Sequence, residues 1–174
     1  MEKRYDAIIV GGGPAGLSAA IYMARAQFHV LVIEKDTIGG QITITGEVVN
    51  YPGIPYTNGK KLTAGMHSQA ESFGAEFLTA EVTGLDLEGT YKTVHTTRGD
   101  FTAAGIIYAA GAHPRLAGFA GEEEFKGHGV AYCATCDGEF FTDKDIRSGW
   151  RFCCGRRRAF PYPLCAQAVY GCAS

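Results

Sequence analysis

The segment YDAIIVGGGPAG, Tyr5–Gly16, opens a strand–turn–helix unit around which the rest of the chain is organised. Its first six residues, Tyr5 to Val10, form the short apolar run that a parallel strand buried on both faces requires. Gly11-Gly12-Gly13-Pro14-Ala15-Gly16 follows without a break, and then an Ala-rich segment, Leu17 to Ala26. Leu17, Ile21 and Ala24 share one face of the helix that this segment predicts. HVLVIE, His29–Glu34, is a second buried strand, and it ends in an acid. Strand, glycine turn, helix, strand and acid occur in the order of a βαβ unit that binds a dinucleotide. Gly11 permits the tight turn, Gly13 lets the backbone approach a pyrophosphate, and Gly16 allows the helix to pack closely on the strand. The phosphate then meets the helix N-terminus, where free N–H groups and the dipole favour an anion. Glu34 can accept hydrogen bonds from a ribose.

Beyond this unit, Gly39-Gly40-Gln41 through Asn50-Tyr51-Pro52-Gly53 is too irregular for a helix and reads as a loop covering a cofactor. Lys60 to Phe73 predicts a helix, with Leu62, Met66 and Ala70 in register and Gly74 just beyond its end. From Ala75 to Phe101 short apolar runs alternate with Gly84, Gly89 and Arg98-Gly99-Asp100, the pattern of a small antiparallel meander. GIIYAA, Gly105–Ala110, is a third buried strand that ends at Gly111, and Pro114 to Lys126 reads as a crossover between domains. The expected fold class is α/β, a Rossmann-like three-layer arrangement over residues 5–111. Tyr5–Val10, His29–Glu34 and Gly105–Ala110 lie in one parallel sheet, with helices on one side and the meander on the other.

The 174 residues carry a net charge of −2, which gives no reason to expect nucleic acid or an anionic membrane surface as partner. No apolar run approaches the length of a membrane span, and Met1 to Asp6 leads into a strand without an apolar signal region. A cytoplasmic location is therefore expected, where closely spaced cysteines are more often catalytic or metal-binding than structural.

Cys133-Ala134-Thr135-Cys136-Asp137-Gly138 is such a pair. Two thiols at this spacing can close and reopen a small disulfide ring, the geometry of two-electron thiol exchange. The turn or helix start suggested by Asp137-Gly138 would lower a thiol pKa. Zinc needs four ligands, and neither the isolated His128 nor the spacing of the other cysteines completes a common zinc pattern, so no metal site is expected. A small redox or metal-binding module using Cys133 and Cys136 without flavin stands as the alternative. The run Glu122-Glu123-Glu124 reads as a solvated face.

Residues 5–146 resemble the bacterial low-molecular-weight thioredoxin reductases, FAD-dependent pyridine nucleotide-disulfide oxidoreductases of class II. The likeness rests on VGGGPAG (Val10–Gly16), GGQITIT (Gly39–Thr45), EVVNYPGI (Glu47–Ile54), FGAEF (Phe73–Phe77), YAAGAHPR (Tyr108–Arg115) and GEEEFKGHGVAYCATCDGEFF (Gly121–Phe141). The CATCDG segment is the specific part. The resemblance implies electron flow from NADPH through FAD and a CxxC disulfide to thioredoxin, in homodimers. It implies that Gly11, Gly13, Pro14, Ala15, Gly16, Glu34, Gly40, Gln41, Asn50, Ala110 and Gly111 line FAD. Cys136 would face the flavin, Cys133 would attack the disulfide of thioredoxin, and Asp137 would be the acid/base. The implied domains are residues 1–116, part of the FAD-binding domain, and residues 117–146, the start of an inserted NADPH/redox domain.

Residues 147–174 break the pattern. Residues 1–146 contain eleven basic and eighteen acidic residues, whereas the tail holds five Arg and no acid. It also holds the single Trp150 and four of the six cysteines, Cys153, Cys154, Cys165 and Cys172. Reading its codons one base later forces Trp150 followed by Arg151 to give Gly, and Cys153 and Cys154 to give only Ala or Val. Allowed codons turn Arg147–Cys165 into VVGGGFAAAEDALFLTRYA, a strand, a GxGxxA turn and an amphipathic helix. The tail is read as an out-of-frame sequence that packs poorly, and the 174-residue chain as an inactive fragment. A relative with another electron donor, such as ferredoxin, is the alternative reading.

Overall fold

The computed structural model describes residues 4–112, 116, 118–125, 130–132, 146–148 and 169–171. The chain divides into two compact units, Met1–Ala112 and His113–Ser174.

The first unit is built on the expected βαβ start. Strand β1 (Arg4–Val10) leads through the glycine turn into helix α1 (Pro14–Arg25) and then strand β2 (Val30–Glu34). A short 3₁₀ helix, Gly40–Ile44, precedes helix α2 (Gly59–Ser72) and strand β3 (Glu76–Thr79). Strands β4 (Val82–Asp86), β5 (Lys92–Thr96) and β6 (Gly99–Tyr108) follow. The sheet order is β3-β2-β1-β6-β5-β4. The first four strands pair in parallel, with Ile8 beside Leu31 and Ile106, and Leu31 beside Glu76. The last two are antiparallel additions through β6.

Alternation along β1 and β2 divides the core. Ile8, Val10, Leu31 and Ile33 pack with Val94 and Ala103, and Val82 and Phe101 close over them. Ile9, Val30 and Val32 face the other way, against Ala20 and Ala24 of α1 and Ala70 of α2. The helices cover one face and the meander the other, so the three layers are present. Burying these branched side chains stabilises the unit by about 2 kcal/mol each before entropy is subtracted.

Three details differ from the sequence reading. The stretch from Gly39 to Gly53, read as too irregular for a helix, holds the 3₁₀ turn Gly40–Ile44, short enough to escape a periodicity test. Glu76–Thr79, placed in the antiparallel meander, is instead a parallel edge strand beside β2. It follows a helix, and a crossover through a helix returns the chain parallel to the strand before it. The strand expected over Gly105–Ala110 is the second half of a ten-residue β6 that ends at Tyr108. The first half of β6 pairs with β5 and most of its length with β1, so one strand joins meander to sheet.

Helix ends are set locally. The side chain of Asn58 accepts the N–H of Lys61 at 2.7 Å, which caps α2. Gly74, at φ +94°, closes its far end with its N–H on the Glu71 carbonyl. At the end of α1 the left-handed position is filled by Gln27, at φ 68°.

In the second unit, a turn at Ala120–Phe125 precedes strand β7 (Val130–Ala131), and the Phe125 carbonyl accepts the Val130 N–H at 2.9 Å. Strands β7, β8 (Ile146–Ser148) and β9 (Val169–Gly171) form an antiparallel sheet in the order β7-β9-β8. Strand β9 and the end of β8 belong to the tail that the sequence reading expects to pack poorly.

Candidate dinucleotide site

The site forms where the strand order changes direction. From β1 the chain runs outward through β2 to β3, then returns to place β6 on the other side of β1. The crevice beyond the carboxyl ends of β1 and β6 is the place where open α/β sheets hold ligands. The glycine turn after Val10 sits there. Its walls are the ends of three strands: Gly11 N–H donates to the Ile33 carbonyl at 2.8 Å, and Ala109 N–H to the Val10 carbonyl at 2.8 Å.

Two of the glycines are required by close contact. A Cβ on Gly11, whose φ is +106°, would stand 2.3 Å from the Ala109 carbonyl oxygen. A Cβ on Gly16 would lie 1.9 Å from the Gly11 carbonyl oxygen, so α1 can seat against the turn only because that atom is missing. Gly13 differs. The nearest atom to its Cβ position is the Gly40 Cα at 3.9 Å, an ordinary contact, so the protein itself leaves this position open. Gly13 is also the N-cap of α1, with extended backbone and no capping side chain, and Pro14 begins the first turn. The N–H groups of that turn therefore have no side-chain acceptor and face an open position, a cradle for a phosphate.

Glu34 lies beside the turn and is held by backbone. Its Oε2 accepts the Gly12 N–H at 2.8 Å, and its Oε1 accepts the Asp36 N–H at 3.1 Å. Each carboxylate oxygen keeps a further lone pair, which a ribose hydroxyl can use. Gly39 N–H donates to the Gly12 carbonyl at 2.8 Å, which brings the Gly39–Gly40 turn onto the glycine loop. Gln41 donates from its side-chain nitrogen to the Ala112 carbonyl, tying the 3₁₀ segment to the chain that leaves β6 through Ala110 and Gly111.

The structure thus gathers Gly11, Gly13, Pro14, Ala15, Gly16, Glu34, Gly40, Gln41, Ala110 and Gly111 around one crevice. Asn50 is exposed on the neighbouring loop, which is closed by pairing of Val48 with Thr57 and anchored by Val48 against Leu17. Cys133, Cys136 and Asp137 lie outside the described residues. The sequence reading missed Gly12, which the fingerprint leaves unspecified. Its N–H orients Glu34, and a Cβ there would meet Ile38 at 3.0 Å and Glu34 at 3.1 Å. It also placed Glu122 on a solvated face, whereas Glu122 is only 3% exposed. Composition favoured solvation, but Glu122 turns inward to accept the Gly118 N–H at 2.6 Å and the Tyr132 hydroxyl at 2.7 Å.

These features define a dinucleotide-binding α/β domain: a pinned acid, an uncapped helix start and an open glycine at a switch in strand order. Over residues 5–149 the chain matches the model of the pyridine nucleotide-disulphide oxidoreductase family, and it belongs to that family. It is 47% identical over 147 residues to the thioredoxin reductase of Peptoclostridium acidaminophilum, covering 84% of this chain and 47% of that protein. Among solved structures, the thioredoxin reductase from Streptococcus pyogenes MGAS5005 superposes with a TM-score of 0.76 at 39% identity, over 84% of this chain and 47% of that one. A ferredoxin-flavin thioredoxin reductase from Clostridium acetobutylicum superposes at 0.59 with 29% identity, over 83% of this chain and 50% of that one. The chain spans about half the length of the relatives it matches. No helix among the described residues is long and apolar enough to cross a membrane.

Proposed function

We propose that this chain is the FAD-binding half, with the beginning of the redox domain, of a cytoplasmic thioredoxin-disulfide reductase. The observation that carries the reading is the Gly11–Gly16 turn with Glu34 pinned beside it, in a chain whose family match runs on through Cys133, Cys136 and Asp137. When bound, FAD supplies a two-electron carrier between NADPH and a disulfide. The chain holds it through the first turn of α1 at the pyrophosphate and Glu34 at a ribose, with Gly40, Gln41, Asn50, Ala110 and Gly111 completing the walls.

Cys133 and Cys136 do the thiol chemistry. The Cys133 thiolate attacks one sulfur of the disulfide of thioredoxin, and the departing sulfur takes a proton from Asp137. The Cys136 thiolate then attacks the Cys133 sulfur, releases the second thiol of thioredoxin and leaves a Cys133–Cys136 disulfide. Two electrons from NADPH are needed to reopen it. The likeness to a ferredoxin-flavin thioredoxin reductase favours ferredoxin as a second reading of the donor.

The family match ends at residue 149, just beyond the last acid, Asp145, and the first of the five arginines of the tail, Arg147. Residues 147–174 are therefore read as out of frame, the chain as an inactive fragment, and residues 1–116 and 117–146 as the two interrupted domains. Sequencing the DNA across codons 145–150 locates the slip. In the frame-restored protein, assembled as the homodimer usual for this family, Cys133→Ser and Cys136→Ser are each expected to abolish thioredoxin reduction. Full dithiol activity in either variant overturns the assignment.

A further inference from the structure

Glu122 is nine-tenths buried yet takes no part in the chemistry described above. Both of its carboxylate oxygens are engaged: Oε2 accepts the Gly118 N–H at 2.6 Å and Oε1 the Tyr132 hydroxyl at 2.7 Å. Both are short hydrogen bonds. The carboxylate thus ties three points together: the entry of the turn at Gly118, the turn itself, and Tyr132 ten residues on. The turn makes a second tie to the same stretch, since the Phe125 carbonyl holds the Val130 N–H at 2.9 Å. Tyr132 is covalently joined to Cys133. Burying a carboxylate is costly unless its bonds are made, so a carboxylate here needs a reason beyond filling space.

We propose that Glu122 is a positioning residue for the redox pair, acting through Tyr132 to fix the chain where it enters Cys133. The inference rests on the reading of Cys133 and Cys136 as a redox-active dithiol. A fixed approach raises the effective concentration of one thiol toward the other and so stabilises their disulfide. Releasing Tyr132 makes the disulfide easier to reduce.

The test equilibrates the 174-residue chain with glutathione and its disulfide, blocks free thiols by alkylation, and digests with trypsin. Each ring opened consumes two glutathione thiols and yields one glutathione disulfide. Cleavage after Lys126 and Lys144 isolates residues 127–144, in which Cys133 and Cys136 are the only cysteines, so their redox state is read apart from the tail. Tyr132→Phe, which removes a single oxygen, and Glu122→Gln are each expected to shift the equilibrium toward the dithiol by about tenfold. The double variant should shift it by clearly less than the two single shifts combined, because both changes act on the Glu122–Tyr132 bond. Glu123→Gln, on an exposed neighbour, should leave it unchanged. Melting temperatures are measured on the same samples. A lower melting temperature with an unchanged equilibrium in both variants makes the pair purely structural and refutes the proposal. Absence of any disulfide within residues 127–144 of the unsubstituted chain refutes the dithiol reading itself, and the positioning role with it.

Discussion

Gly13 and Gly16 belong to the same fingerprint, yet the structure requires them for different reasons. At Gly16 a methyl group would be driven to 1.9 Å from the Gly11 carbonyl oxygen, so helix and turn would have to separate. At Gly13 the same methyl group meets nothing closer than 3.9 Å. Gly16→Ala is therefore expected to cost about 3 kcal/mol of stability and to lower FAD binding with it. Gly13→Ala should keep the melting temperature of the parent and lose FAD affinity alone. Thermal melts and flavin titration of the two variants, made in the frame-restored protein, separate the cases. Equal loss of stability in both contradicts this account of Gly13. These glycines and Glu34 were legible in the sequence because the pattern is local, spanning one turn and the end of the next strand. The burial of Glu122 was not. Its partners Gly118 and Tyr132 lie four and ten residues away, and a run of three acids resembles a solvated face until they are known.

At the scale of elements, the two helices are finished differently at their ends. Asn58 caps α2 with its side chain, and Asn58→Ala is expected to cost about 1 kcal/mol. Gln27 sits at φ 68° after α1, where Gly74 serves the same purpose after α2. Gln27→Gly removes the Cβ penalty of that conformation and should raise stability by about 0.5 to 1 kcal/mol. Paired denaturant titrations check both signs; a destabilised Gln27→Gly would mean that its side chain, and not the turn, matters. Periodicity read both helices and the first two strands well, because their apolar residues repeat on one face or run unbroken. It could not tell that Glu76–Thr79 is parallel, since four residues with Phe77 and Leu78 on opposite faces fit either direction. Nor could it join Gly99–Phe101 to Gly105–Tyr108. That junction depends on β6 changing partners from β5 to β1.

At the scale of the whole molecule, the family match and the charge balance end within a few residues of each other. Residues 5–149 match the family, and the five arginines of the tail begin at Arg147. Large apolar side chains remain exposed in the first unit, with Ile44 at 81%, Tyr22 at 73% and Tyr56 at 69%. The architecture of the first unit could be read from sequence because βαβ order and strand composition carry it. The role of residues 147–174 could not, because no strand, glycine turn and helix in the order seen from Tyr5 to Ala26 can be read in them. The most direct test of this account is NADPH-dependent reduction of thioredoxin by the 174-residue chain beside its frame-restored counterpart, each supplied with FAD. The account predicts turnover by the restored protein and none by the 174-residue chain. Equal turnover by the two would show that residues 147–174 are working protein and would contradict it.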